Sequence, residues 1–365
     1  MVQASAGIAL VAAVAACAPL PAPSGPAAPG RPQAPPPPRA PAQAALPPAL
    51  VVRGEPLDHL PGWAEEDHGA ALEAFRRTCI RMPEIAAACA SAQASGALGG
   101  PAAKAWWEAR FVVQAIQPDT GDRGLLTGYF APEYQARDQP DAEFSAPVRP
   151  RPADLVRGQP YALRADIERA PGEAALAWMR PEELFFLQIQ GSGGLTFPDG
   201  RRIRAVYAAD NGRPFVGIAK VMREQGLLVD SNTSGEAIRA WLAAHRGPEA
   251  QAVMNANPRY IFFALQPEDG REPAGAAGVP LTPGRSIAVD ATRHAYGELF
   301  WIEGQAPALA GAFPTYRRMV TALDTGGAIK GAVRADLYLG RGAAAGTEAG
   351  RIRHQLRMWR LVPRA

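Results

Sequence analysis

Residues 317–340 read RRMVTALDTGGAIKGAVRADLYLG: an apolar run stops at Asp324, a glycine-rich turn follows, and a second apolar run opens at Asp336. β-branched and aromatic residues bounded by Gly and Asp are the mark of short strands joined by tight turns. The same grammar recurs outward along the chain. It is legible in GLLTGYF (124–130), LFFLQIQGSG (184–193), RIRAVYAAD (202–210), RYIFFAL (259–265), RSIAVD (285–290) and ELFWIEG (298–304). Pro198-Asp199-Gly200 predicts a hairpin turn between two of these runs. Helical spacing appears instead in AALEAFRRTC (70–79), AKAWWEARFVVQAI (103–116), GIAKVMREQGLL (217–228) and SGEAIRAWLAAH (234–245), the last capped by Ser234. Many short strands with few long helices predict a mainly β chain built of small barrels, not a parallel α/β sheet.

Length suggests two domains for 365 residues. Lys+Arg minus Asp+Glu is 38 − 35 = +3, which argues against a nucleic-acid binder that relies on phosphate contacts. The basic residues are almost all Arg; Lys appears only at 104, 220 and 330. Five His and three Cys leave little for metal chemistry, so no metal is expected.

Residues 1–16, MVQASAGIALVAAVAA, form an uncharged apolar segment of signal-peptide length that ends in small residues before Cys17. The pattern looks like a bacterial lipobox, with Cys17 as the lipidated first residue of the mature chain. Residues 19–48 carry 13 prolines and no acidic residue, the composition of an extended tether. A secretory route implies an oxidising compartment, in which Cys79 and Cys89 are a plausible disulfide. Their spacing of ten does not suit a redox CxxC pair. Two buried free thiols are the alternative.

Several familiar motifs fail. GSGGLT (191–196) is not a dinucleotide fingerprint, GGAIKG (326–331) lacks the GK[ST] of a P-loop, and Ser192 does not sit in GxSxG. His294 and His354 are isolated. What survives is a group of aspartates, Asp290, Asp324 and Asp336, at the ends of strand-like runs. Any one of them could simply cap a turn. Together they suggest crowded carboxylates, one of which stays protonated near neutral pH, as protonating a glycosidic oxygen requires. Lys330 lies between two of them, placed to hold one ionised. A second set is suited to sugars: Gln188, Gln190, Gly191, Ser192 and Gly193 at the end of one run, Tyr207, Asp210, Asn211 and Gly212 at the end of the next, and Thr127, Tyr129 and Phe130 in a third. If 184–193 is a strand, Gln188 and Gln190 share one face.

TGYFAPEYQ, FFLQIQGSG, IRAVYAADNGRPFVGIAKVM, NPRYIFF, SIAVD and ALDTGGAIKG…ADLYLG, taken in this order, resemble the membrane-bound lytic murein transglycosylase A family with its C-terminal three-aspartate domain. The resemblance covers roughly residues 105–360. It implies a double-psi β-barrel with an inserted smaller β-barrel, a groove between them and a few N-terminal helices. The expected division is a signal peptide over 1–16, a tether over 17–49, the catalytic barrel from 50–131 plus 253–365, and the insert over 132–252. It implies cleavage of the β-1,4 bond between N-acetylmuramic acid and N-acetylglucosamine with formation of a 1,6-anhydro ring. Asp336 maps to the family's catalytic aspartate, with Asp324 and Asp290 as its companions. Thr127, Tyr129, Gln190, Gly191, Ser192, Gly193, Tyr207, Asn211 and Lys330 are the expected glycan-binding set. Phe130 stands where a second Tyr is frequent in the family. The resemblance further implies a periplasmic enzyme held to the outer membrane by its lipid, acting on peptidoglycan strands without a cofactor. A monomer is the default expectation, and other cell-wall enzymes are candidate partners. A hydrolase using two aspartates and a non-catalytic peptidoglycan-binding lipoprotein are the competing expectations.

Overall fold

The protein is described here by a computed structural model, which covers residues 54–79, 83–121, 123–172, 174–228, 234–306 and 314–364. Cys17, the leader and the proline-rich tether lie outside these residues. Three helices come first: α1 (His68–Thr78), α2 (Ala86–Ser95) and α3 (Gly100–Arg110). Asp67 caps α1 by accepting from Ala70 N at 2.9 Å, and Pro101 occupies the first turn of α3. Cys79 and Cys89 are joined in a disulfide between the end of α1 and α2, with Cα atoms 5.7 Å apart. The periodicity predicted one helix through residue 116. The helix instead ends at Arg110, and FVVQAI is strand β1 (Phe111–Ile116), in which Phe111 and Val113 are buried. Two consecutive β-branched valines favour the extended form, and the spacing alone could not separate the two.

β2 (Gly124–Ala131) enters the main barrel, and the chain then leaves for the insert. The insert contains β3 (Glu133–Gln135), β4 (Ala146–Val148), α4 (Arg164–Arg169), β5 (Ala177–Met179), α5 (Pro181–Gln190), β6 (Gly193–Thr196), β7 (Arg202–Asp210), α6 (Ile218–Glu224), α7 (Gly235–Ala244), α8 (Pro248–Asn255) and β8 (Ile261–Pro267). The chain returns through β9 (Ser286–Val289), β10 (Leu299–Gln305), β11 (Thr315–Thr325), β12 (Arg334–Arg341), α9 (Gly342–Ala349) and β13 (Arg353–Pro363).

Six strands close the main barrel in the order β13-β10-β11-β9-β12-β2, and β2 pairs back onto the first half of β13; β1 pairs with the second half of β13 on that same edge, opposite β10. β12 is parallel to β2 and antiparallel to β9, while β9 is parallel to β11. Alternation along β10 explains its unbroken apolar run. Phe300 and Ile302 point into the barrel, whereas Leu299 and Trp301 pack outward against Phe75, Trp106 and Trp107 of the helices. Both faces of this strand are therefore buried. Glu303 is also buried and is matched across the ladder by Arg317 on one side and Arg357 on the other.

The insert has a four-stranded sheet, β3-β6-β7-β8, and a two-stranded pair, β4-β5. A bridge between Arg137 and Trp178 joins them at one end, and Phe263 N donates to Arg149 O at 2.8 Å at the other. These links complete a second, smaller ring. Its last strand, β8, lies beyond residue 252, so the sheet runs on to Pro267. The turn at 198–200 forms as expected, with Gly200 at φ 81°, and joins β6 to β7.

The run 184–193 is the main correction. It is not a strand: residues 181–190 form helix α5. Pro181 at its start, Glu182 and Glu183 in its first turn, and Gly191 in a left-handed C-cap at φ 83° are all helix-boundary signals that outweigh the β-like composition. Gln188 and Gln190 therefore lie about 200° apart around a helix instead of sharing a strand face.

Candidate active site

The barrel register places the decisive carboxylates. Asp324 on β11 pairs with Ala288 on β9, Ala288 pairs with Asp336 on β12, and Asp336 pairs with Thr127 on β2. Asp324, Ala288, Asp336 and Thr127 thus form one row across four strands. At the usual strand spacing the two Asp backbones stand about 10 Å apart, with only the Ala288 methyl between them. A register shift between Ala322 and Asp324 bends β11 at this point.

Asp336 is half-buried, and its Oδ1 accepts from Thr127 Oγ1 at 2.5 Å. Asp324 is held by three donors: Ala276 N and Thr325 N to Oδ1, both at 2.9 Å, and the Tyr129 hydroxyl to Oδ2 at 2.8 Å. Tyr129 occupies the next row, beside Tyr338, with ring centroids 5.2 Å apart. Burial raises the pKa of both carboxyls. At Asp336 the Thr127 bond and Arg334 pull the other way, and the neighbouring Asp324 pushes it up further. At Asp324 the bonds from Ala276 N, Tyr129 and Thr325 N oppose burial. The two acids are therefore unequal. Asp324 has three donors to stabilise its anion, whereas Asp336 has one. Burial and the adjacent Asp324 also raise Tyr129 well above the usual phenol range, which keeps its hydroxyl a donor.

Asp290 does not join this pair. It is 4% exposed, and its carboxylate accepts from Gly331 N (2.9 Å), Thr292 Oγ1 (2.8 Å) and Thr292 N (3.1 Å). Burial alone would raise its pKa. The Gly331 and Thr292 bonds, with Lys330 at 3.8 Å, hold it below the ordinary value. Asp290 is thus an ionised turn cap that ties down the loop leading to β12. Lys330 is mostly exposed and serves Asp290, not the Asp324–Asp336 row.

The expected sugar-binding residues divide similarly. Thr127 and Tyr129 bond the two acids of the row, and Gln190 reaches the strand that carries them: Phe130 N donates to Gln190 Oε1 at 3.3 Å, which brings the end of α5 against β2. Gly191 is the helix stop. Gly193 packs where a side chain would lie 2.7 Å from Pro132 O. Ser192 lines a small cleft with Ala131, Arg204, Pro273 and Arg341. Asn211 lies inside the insert. It is 0% exposed, and its amide bonds Ala162 O, Pro258 O and Tyr260 N, so it clamps the insert internally. Tyr207 is exposed and donates to Asp210 at 2.7 Å, and Asp210 also pairs with Arg259 at 2.8 Å. Arg259 and Phe215 abut Gly327, so this cluster reaches the loop after Asp324.

Sequence reasoning missed Tyr338 and Glu272. Tyr338 lies two positions beyond Asp336 on the same strand, and alternation could have found it. Glu272 has no local signal. Among the described residues, no group of His, Cys, Asp and Glu could hold a metal ion, and no helix is long and apolar enough to cross a membrane.

Comparison with known proteins adds independent findings. Residues 125–264 match the model of the MltA specific insert domain, and residues 285–362 match that of the 3D domain. The membrane-bound lytic murein transglycosylase A of Vibrio cholerae is 35% identical over 267 residues, which span 69% of this chain and 70% of the relative. The crystal structure of a membrane-bound lytic murein transglycosylase from Agrobacterium tumefaciens superposes with a TM-score of 0.72 at 29% identity, covering 85% of this chain and 97% of that one. Escherichia coli MltA with bound chitohexaose gives a TM-score of 0.64 at 27% identity, covering 89% and 94%.

Proposed function

This chain belongs to the membrane-bound lytic murein transglycosylase A family, a family of peptidoglycan-cleaving lyases, and from that membership we propose how its residues perform the cleavage. The bond cut is the β-1,4 link between N-acetylmuramic acid and N-acetylglucosamine. The groove between the barrel (54–131 plus 268–364) and the insert (132–267) holds the glycan. The bound chitohexaose of the Escherichia coli relative supports a β-1,4-linked N-acetylated sugar chain as ligand.

Protonated Asp336 donates to the departing glycosidic oxygen. Positive charge then develops at the muramyl anomeric carbon, near the anionic Asp324. The Asp336 carboxylate left behind takes the proton from the 6-hydroxyl of the same sugar, whose oxygen closes on the anomeric carbon. Donation creates the base, so one residue serves both steps. Attack from within the sugar has the entropic advantage of an intramolecular reaction over capture of free water. Thr127 orients Asp336, and Tyr129 keeps Asp324 in place. Gln190, Ser192 and Tyr207 contact the glycan, while Asp290 and Lys330 fix the loop.

The observation that carries this reading is the inequality within the Asp324–Asp336 row, which favours one protonated and one ionised acid. Digestion of purified murein sacculi tests it. The expected products are muropeptides one water lighter than those of hydrolysis, without reducing ends. Reducing ends in the products would establish a hydrolase instead.

The membrane-bound relatives support a location in the cell envelope. We propose that Cys17 carries the lipid and that the enzyme works in the periplasm from the outer membrane. In cells, Cys17→Ser is then expected to move the protein from the membrane to the soluble fraction. Unchanged membrane association in that variant would refute the anchor.

A further inference from the structure

The segment that returns the chain from the insert to the main barrel passes directly over Asp324. Its Ala276 N donates to Asp324 Oδ1 at 2.9 Å, and its Ala277 N donates to Leu323 O at 3.0 Å. The approach is close enough that a methyl on Gly275 would lie 2.3 Å from Leu323 O. Ala277, Val279 and Leu281 pack with Leu323, Tyr129 and Tyr338 in one small apolar cluster.

The same segment reaches Asp324 by a second route. Tyr338 is 0% exposed, and its hydroxyl donates to Glu272 Oε2 at 2.6 Å. The Tyr338 ring is the surface against which the Tyr129 ring rests, and Tyr129 delivers its hydroxyl to Asp324. From this geometry we infer that Glu272 is a positioning residue: by fixing the hydroxyl of Tyr338 it sets the Tyr129 ring and, through it, the donor on Asp324. The connection between the two barrels thereby holds Asp324 both directly and through a pair of tilted, contacting tyrosine rings. The other charged and titratable groups facing this cluster are Asp336 and Arg334 on β12, Arg341 near Glu272 and Tyr338, and Tyr296 ahead of β10. None of these substitutes for an acceptor at the Tyr338 hydroxyl.

The inference rests on the assignment of Asp336 and Asp324 made above. Loosening Tyr129 removes a donor from Asp324, so Asp324 holds its negative charge less firmly. A less negative Asp324 lets Asp336 ionise at lower pH, and the alkaline limb of the kcat profile moves toward acid. For Glu272→Ala, kcat at pH 8 is expected to fall about fivefold relative to wild type, with kcat at pH 5 and KM each within about twofold. Glu272→Gln, which keeps an acceptor oxygen for Tyr338, is expected to restore the wild-type profile. If Glu272→Ala does not fold, Tyr338→Phe carries the test, because it removes only the hydroxyl and predicts the same shift. An unmoved limb in both Glu272→Ala and Tyr338→Phe, or Gln behaving like Ala, would overturn the inference. Failure of the wild type to yield anhydro products would instead overturn the assignment on which it rests.

Discussion

Asp336→Asn is expected to lower the rate of anhydromuropeptide release by at least about 10³-fold while binding of glycan strands persists. The amide matches the carboxyl in size but has no proton to give the leaving oxygen and no basic oxygen to receive one afterwards. Both steps assigned to this residue fail together, so the loss exceeds that of an ordinary general acid. Glycan affinity is measured separately, by co-sedimentation with sacculi. Turnover within tenfold of wild type would exclude Asp336 as the acid. The same variant has a stability signature. Asp336 has a raised pKa, so the folded state binds its proton more tightly than the unfolded chain does. Its contribution to stability is therefore complete below the ordinary carboxylate value and is lost as pH rises through the raised one. Asn carries no such dependence. Thermal unfolding at neutral pH is thus expected to place Asp336→Asn at or above the wild type.

Asp324→Asn has a different outcome, because it alters when Asp336 is protonated without removing it. Asp324 raises the pKa of Asp336, and deleting that negative neighbour favours ionisation. The alkaline limb of the kcat profile then moves to lower pH. At neutral pH the expected loss is about 10- to 100-fold, and part of it is recovered on acidification. The remaining deficit reflects the lost anion beside the charge that develops on the anomeric carbon. A pH series of initial rates separates the two components. An equal loss at every pH would mean that Asp324 does not set the protonation of Asp336.

The strands that bear the chemistry were legible because each is short, apolar and bounded by Gly or Asp. Thr127, Tyr129, Asp324 and Asp336 lie in such runs, and their meeting in one patch follows from the barrel register. Other features depended on signals that conflict locally. LFFLQIQ has strand-like composition, yet Pro181 before it and Gly191 after it make it a helix. FVVQAI continues a helical periodicity but belongs to β13's edge. β13 itself, RHQLRMWRLVP, alternates charged and apolar residues and was not singled out, although it closes the barrel. Asn211 and Asp290 illustrate a chemical limit. An amide or carboxylate that suits a sugar hydroxyl suits a backbone group equally well, and only burial separates the two uses. Glu272 meets Tyr338 across 66 positions of chain, so nothing near it in the sequence announces a role.

The bond between Thr127 and Asp336 spans 209 positions, and the ring around it closes only through the pairing of β13 with β2. Contacts this distant in sequence form late, after the entropy of enclosing the intervening loop has been overcome. The acid–hydroxyl pair is therefore absent until β12 has paired with β2. On the assignment of Asp336 proposed above, cutting therefore waits until β2 and β12 have met.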